Sequence, residues 1–323
     1  MQTLLTKTNA YTLLQRETLD GKNSHAYLLL FDDARNLRET LKYFAKVLLS
    51  CENEQTEEEL RMSRLIDSET FSDCLFYPEI GKKLSVEDAD SIKEECLLRP
   101  VEGTRKVIVI CGFETANAPT QNKLLKLLEE PPEGVVFLLG AINAFNILTT
   151  VLSRTKKMEI LSFEAQEIED CLARIYGDKY DRETISLCAA ASNGSLGGAQ
   201  NILEGGYFKA LMENAFALTL CSRHSLPSIV KQIGETKHPK ELFSLLRLIY
   251  RDALVLKTQG GKARRRLLLK KNEILDVSQK YSARALLFAQ ECISKAEMEL
   301  TFNANLPQCL ELCVAKILRE NKE

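Results

Sequence analysis

The residue with the clearest chemical use in this sequence is an arginine. Arg154 sits in Leu152-Ser153-Arg154-Thr155, the polar end of an otherwise apolar turn. A guanidinium in such a setting has two readings. It can pair with a carboxylate on its own surface, the ordinary fate of a lone arginine. It can also reach a nucleotide held by a neighbouring chain, where it stabilises charge developing on the transferring phosphoryl group and raises the rate by about 10³–10⁵. Spacing alone leaves both open. The run from Asn122 to Arg154, NKLLKLLEEPPEGVVFLLGAINAFNILTTVLSR, reads as a helix, a stiff Pro131-Pro132 break, a buried strand, a loop and then the arginine. In an ATPase built of strands and helices, that order puts a cation at the edge of a nucleotide site.

The chain's own nucleotide site is the second place to look. A phosphate-binding loop lies between a strand and a helix. Its glycines let backbone N–H groups approach the phosphates, its Lys reaches the β/γ phosphates and its Ser/Thr holds Mg²⁺. Here the turn after HAYLLL reads Phe31-Asp32-Asp33-Ala34-Arg35-Asn36-Leu37-Arg38. It has no glycine, Leu37 stands for the Lys, Arg38 stands for the Ser/Thr, and Asp32 and Asp33 would face a polyanion. A Walker B strand ends in Asp-Glu, one to hold Mg²⁺ and one to polarise water; KVIVI is followed by Cys111-Gly112. Glu114 could take over the role only from two residues too far along. After VVFLL, the place of a γ-phosphate sensor holds Ala141 and Ile142, and only Asn143 could donate a hydrogen bond there. The pattern predicts a site that binds no ATP and needs no cofactor.

The hydrophobic pattern supplies the scaffold. His25–Phe31 is a short apolar run that predicts a buried strand, and Leu37–Leu49 carries apolar residues at helical spacing. Cys51–Ser72 is acidic, with Glu57, Glu58 and Glu59 in a row, and reads as surface helix plus loop. Ser85–Leu98 predicts a helix with Ser85 as N-cap and Asp88 in its first turn. Lys106–Cys111 is β-branched and continuous, as a central parallel strand is. Pro119 opens a helix carrying Leu124, Leu125, Leu127 and Leu128, which stops before Pro131. Val135–Leu139 and Met158–Leu161 are further strands. Strands alternating with helices imply a parallel sheet covered on both faces. After Phe163 the β signal stops, and Gly205-Gly206 reads as a hinge. The expected organisation is an α/β domain at 1–163, a small helical domain at 164–206 and a helical domain at 207–323.

Bulk properties narrow the function classes. The 323 residues carry a net charge of −2, so no global field draws the chain to nucleic acid or membrane. There is no secretory signal pattern and no apolar run long enough to span a bilayer, which makes cytosol the expected location. Ten cysteines are scattered through apolar patterns without a C-x-x-C pair, and read as reduced core residues. His25, His224 and His238 show no ligand spacing.

HAYLLL, KVIVI, QNKLLKLLEEPPEG, VVFLLGAIN and the LSRT at Arg154 resemble the clamp-loader branch of the AAA+ ATPases, with weaker likeness in SLLRLIYRDALVLKTQG and NANLPQCLEL. The resemblance implies a degenerate AAA+ (RecA-like) domain, a helical lid and a helical collar that joins subunits in a ring. It implies motor (gamma/tau) and delta subunits as partners in a hetero-pentamer, and a sliding clamp and primed DNA as what the complex handles. It selects the in-trans reading of Arg154, with Ser153 in support; Thr155 stands where the family has Cys.

Two further departures follow from the same resemblance. The family commonly carries a four-cysteine zinc module. Here only Cys51 matches, Leu60, Ser63 and Ile66 stand where other ligands are expected, and Cys74 is the one other thiol nearby, so no metal is expected. In the lid stretch ASNGSLGGA, Gly197 occupies the place of a nucleotide-sensing arginine. The basic residues Lys257, Lys262, Arg264, Arg265, Arg266, Lys270 and Lys271 form either a DNA-contacting patch or a solvated loop, the latter being the reading of the charge pattern. The rivals are an active AAA+ ATPase with an atypical site and a clamp-opening delta subunit.

Overall fold

The computed structural model describes residues 1–259, 269, 271–301 and 304–321. The chain divides into two compact units, Met1–Phe163 and Glu164–Glu323. In the first, α1 (Gln2–Leu5) and α2 (Asn9–Leu19) lead into β1 (Ala26–Phe31), α3 (Leu37–Leu48), α4 (Glu57–Asp67) and β2 (Cys74–Tyr77). Then come α5 (Val86–Cys96), β3 (Lys106–Cys111), α6 (Ala118–Glu129), β4 (Val135–Ala141), α7 (Thr149–Leu152) and β5 (Lys156–Ile160). The five strands form one parallel sheet in the order β2-β3-β4-β1-β5. The fold is α/β, an open parallel sheet with helices on both faces, with a helical second unit.

Strand alternation explains why both faces are covered. Tyr27, Leu29 and Phe31 of β1 point with Val107, Val109 and Leu138 into a core shared with α2 and α3. Leu28 and Leu30 point with Ile108, Ile110, Phe137 and Leu139 into a second core under α5 and α6. Gly140 sets how close α3 comes. A Cβ there would stand 2.5 Å from Leu41, so only a glycine lets the helix behind the phosphate-loop turn pack on β4. Ser85 caps α5 as the sequence predicts, in a reciprocal box with Asp88, and the structure adds Asn117 as the cap of α6.

Two elements, β2 and α2, were not legible in the sequence, and the start of β5 lies earlier than predicted. β2 is an edge strand of four residues with only Cys74 buried, too short to alternate. α2, capped by Thr8, is polar enough to carry no clear apolar stripe. β5 begins two residues before the predicted Met158, because its first residues, Lys156 and Lys157, lie on an open edge. Beside β2, the fully buried Asp73 accepts backbone N–H groups of Val101 (2.7 Å), Glu102 (2.8 Å) and Gly103 (3.1 Å), which fixes the approach to β3.

The second unit is helical throughout its described residues: α8 (Ala165–Tyr176), α9 (Arg182–Ala191), α10 (Leu196–Glu204), α11 (Phe208–Leu220), α12 (Leu226–Ile233), α13 (Pro239–Gln259), α14 (Lys271–Lys280), α15 (Ala283–Thr301) and α16 (Leu306–Glu320). The long α13 packs against α11, α14 and α15, and α16 against α12 and α15. Tyr250 of α13 meets Tyr281 edge-on at 5.5 Å, and the Tyr281 hydroxyl donates to the Thr219 carbonyl at 2.8 Å. The cysteines are free, nine of them buried and Cys111 half-buried.

Candidate functional site

The carboxyl ends of adjacent strands β1, β4 and β3 bring together the phosphate-loop turn, Asn143 and Cys111-Gly112. Phe31 ends β1 in the core, while Asp32, Ala34 and Arg35 are exposed. The expectation that both aspartates face outward needs correction: Asp33 is only 3% exposed. Its carboxylate accepts the Asn36 backbone N–H at 3.1 Å and the Asn36 side-chain amide at 2.9 Å. An N–H that a phosphate loop would offer to an anion is thus taken by the turn's own acid. Leu37 is buried in the core beside Leu41.

Arg38 fills the space next to it. Its Nε and one terminal nitrogen hold Glu69 bidentately at 2.7 and 2.5 Å, and the other donates to the Pro78 carbonyl at 3.0 Å. The guanidinium also lies 5.7 Å from the centre of the Phe76 ring. Lys42, one turn along α3, adds contacts to Glu39 (2.8 Å) and Glu69 (3.2 Å). The Arg38 hydrogen bond lowers the Glu69 pKa, and Glu69 raises that of Arg38. The Cys111 thiol is pushed up to about 11 by burial, so it stays protonated and cannot replace a metal-binding carboxylate. Gly112 has φ 70°, a left-handed conformation that a glutamate there would adopt only with strain. Glu114 is buried with Oε2 unpartnered; burial raises its pKa against hydrogen bonds from its own backbone and from Ile142. Asn143 accepts the Phe145 N–H at 3.0 Å, which engages it inside its own loop.

A cleft of about 560 Å³ flanks α3, lined by Asn36, Glu39, Tyr43, Lys46 and Asp67 with Met1–Thr3. Its charges are paired within the chain, Lys46 with Asp67 and Glu39 with Lys42.

Arg154 lies elsewhere. It precedes β5, whose first residue is level with Tyr27 near the start of β1. It therefore sits at the amino edge of the sheet, and the six residues of β1 at about 3.3 Å each put roughly 20 Å between it and the phosphate-loop turn. One terminal nitrogen donates to the Thr150 carbonyl at 2.8 Å and to Ser153 Oγ at 3.3 Å. Nε and the other terminal nitrogen face Glu129, the last residue of α6. Ser153 is exposed.

Two contributors had no place in the sequence reading. Glu129 is one; its signal was an acid at a helix carboxyl end, where the backbone dipole disfavours it. The other is Gln121, 1% exposed, whose amide donates to the carbonyls of Ala116 (3.0 Å) and Asn146 (2.8 Å) and accepts the Leu148 N–H at 2.9 Å. It ties α6 to the loop leading to α7 and Arg154. Its signal was a polar residue among apolar ones on a helix face. Of the basic stretch, Lys257 donates to the Ser278 carbonyl at 2.8 Å; Lys262, Arg264, Arg265, Arg266 and Lys270, and the side chain of Lys271, lie outside the described residues. Among the described residues no group of three or more His, Cys, Asp or Glu is arranged to hold a metal, and Cys51 is a buried free thiol pushed up to about 12.

Sheet order and strand polarity define the amino-terminal unit as an open parallel α/β domain. Residues 6–164 match the family described as DNA polymerase III, delta subunit. DNA polymerase III subunit tau of Bacillus subtilis is 23% identical, over 96% of this chain and 60% of that protein. Subunit tau of Escherichia coli is 28% identical, over 57% of this chain and 29% of that protein. The chain thus spans less than two thirds of the length of these relatives. A solved gamma subunit-related protein of Thermotoga maritima aligns over 95% of this chain and 99% of its own, with 18% identity and a TM-score of 0.42.

Proposed function

We propose that this chain is a delta-prime-type subunit of the bacterial DNA polymerase III clamp loader, a cytoplasmic ring member that binds no nucleotide and completes a neighbour's ATP site. Arg154 is the arginine finger in trans, supported by Ser153. In the assembled hetero-pentamer with gamma/tau motor subunits and delta, it assists ATP-driven loading of a sliding clamp onto primed DNA. Residues 164–206 serve as a lid that lacks a sensing arginine, Gly197 standing in its place, and residues 207–323 serve as the collar. The delta-prime assignment rests on the sequence likeness, in which LLKLLEEPP and the Ser-Arg pair match that subunit in most detail.

The observation that carries this reading is the separation of the two sites. A guanidinium at the amino edge of the sheet cannot reach a nucleotide at the carboxyl edge of the same sheet, so phosphate chemistry at Arg154 requires a second chain. The turn filled by Asp33 and by the Arg38–Glu69 pair supports the absence of a site of its own.

The test is reconstitution with motor and delta subunits. Arg154→Ala is expected to leave the complex intact while turnover at the one ATP site it faces falls by about 10³. Unchanged DNA- and clamp-stimulated turnover removes the finger assignment. Submillimolar ATP binding by the lone chain, measured by calorimetry, would instead favour an active ATPase. The family description names the delta subunit, which favours a second reading as the clamp-opening member. Tight one-to-one capture of the isolated clamp by the lone chain is the result that separates it from the first.

A further inference from the structure

We propose that Glu129 is the resting partner of Arg154: a positioning residue that covers the Nε edge of the guanidinium in the free chain and yields that edge to the terminal phosphate of a nucleotide on a neighbouring subunit. The proposal rests on the in-trans reading above. The contacts divide the guanidinium into two edges. One terminal nitrogen is anchored by its own turn, through the Thr150 carbonyl at 2.8 Å and Ser153 Oγ at 3.3 Å. Nε and the remaining nitrogen, the pair that would grip a phosphate bidentately, are held by Glu129. The anchor keeps the arginine aimed while the other edge changes partner.

The location of Glu129 points the same way. It closes α6, and Glu130 follows it, so two acids stand where a helix favours cations. Their placement does not serve the helix. Pro131 and Pro132 come next and hold the carboxylate at a fixed station beside α7. Both partners are partly exposed, Arg154 at 32% and Glu129 at 44%. Such a pair is held by a factor of about 2–5, weak enough to exchange. A triphosphate carries more charge than one carboxylate and displaces it, whereas water does not.

In the complex reconstituted with motor and delta subunits, ATP hydrolysis is measured against ATP concentration for wild type, Glu129→Gln, Arg154→Ala and the double variant. Glu129→Gln is expected to lower the apparent KM for ATP about 2–5-fold with kcat held or raised. The double variant is expected to match Arg154→Ala alone, since Glu129 acts only through the arginine. A wild-type profile for Glu129→Gln overturns the proposal, as does an effect of Glu129→Gln that persists without Arg154. A fall in turnover also overturns it, by showing that the carboxylate aims the arginine instead of restraining it. Hydrogen exchange of the lone Glu129→Gln chain monitors folding, with Glu129→Asp, which keeps the charge but shortens its reach, as the second variant. If Arg154→Ala is itself silent, the in-trans reading falls; if Arg154→Ala is impaired and Glu129→Gln is silent, only the exchange falls.

Discussion

The two edges of the sheet use the same side chain in opposite ways. At the carboxyl edge, Arg38 is 18% exposed, gripped bidentately by an equally shielded Glu69, roofed by Phe76 and tied to the Pro78 carbonyl. At the amino edge, Arg154 shares one carboxylate with solvent and rests on its own short helix. Both are arginines with an acidic partner. The difference lies in how much water each has lost. A shielded, fully partnered guanidinium is a structural brace, and its charge is not available to a ligand. A half-solvated one with an exchangeable partner can take part in binding at little cost to the fold. At the carboxyl edge the guanidinium is thus taken up inside the chain, and at the amino edge it stays partly exposed.

This contrast is sharpest where Arg38 is removed. Arg38→Ala leaves Glu69 shielded with only Lys42 beside it, and is expected to destabilise the Met1–Phe163 unit by about 2–3 kcal/mol. Native-state hydrogen exchange at the amides of β1 and β3 reads this without assuming that the whole chain unfolds in one step. Protection equal to wild type would make Arg38 as dispensable as a surface residue and erase the distinction. Next in size is Gly140→Ala. The added methyl meets Leu41, which is fully buried, so α3 or Leu41 must move; about 1–2 kcal/mol is expected in the same assay.

Glu69→Gln gives a smaller effect with a pH signature. The Glu69 pKa is lowered from its ordinary 4.5 in the folded chain, chiefly by Arg38. Its stabilising contribution is therefore complete above 4.5 and fades as pH falls through 4.5 to the lowered folded value. Glu69→Gln is expected to cost about 1 kcal/mol at neutral pH and to flatten that acid limb. An acid limb of unchanged slope would assign the pH dependence to other carboxylates.

What the sequence displayed and what it hid divide along physical lines. Buried strands such as Lys106–Cys111 and Val135–Ala141 are continuous β-branched or apolar runs because both faces of the sheet are covered, and they were legible. Helix starts were legible where a side chain caps locally, as at Ser85. The edge strand Cys74–Tyr77 was not, since an edge buries too little to impose a pattern. At the candidate site, the missing glycines, Lys and Ser/Thr were plain, but what replaces them was not. Arg38 meets Glu69 across 31 positions and Arg154 meets Glu129 across 25, and no local rule predicts such pairs. The inward turn of Asp33 was hidden for another reason: an Asp two residues past a strand can face a ligand or fold back on its own turn, and only the Asn36 amide decides between them.

The smallest expected effect is the most discriminating. Arg154→Ala removes contacts to Glu129, Thr150 and Ser153, yet these lie at a partly exposed site where water replaces each of them. The carboxylate left behind is 44% exposed and can be hydrated in place. The loss in stability is expected to be at most about 0.5 kcal/mol, well below that of Arg38→Ala. Exchange protection at the amides of β5 and α6 tests this directly, because those elements flank the arginine. Protection retained in the lone chain, together with lost turnover in the reconstituted complex, would separate function from folding at this residue. A large drop in protection would make Arg154 a second brace like Arg38, and a reduced turnover could then no longer be credited to charge delivered to a neighbour.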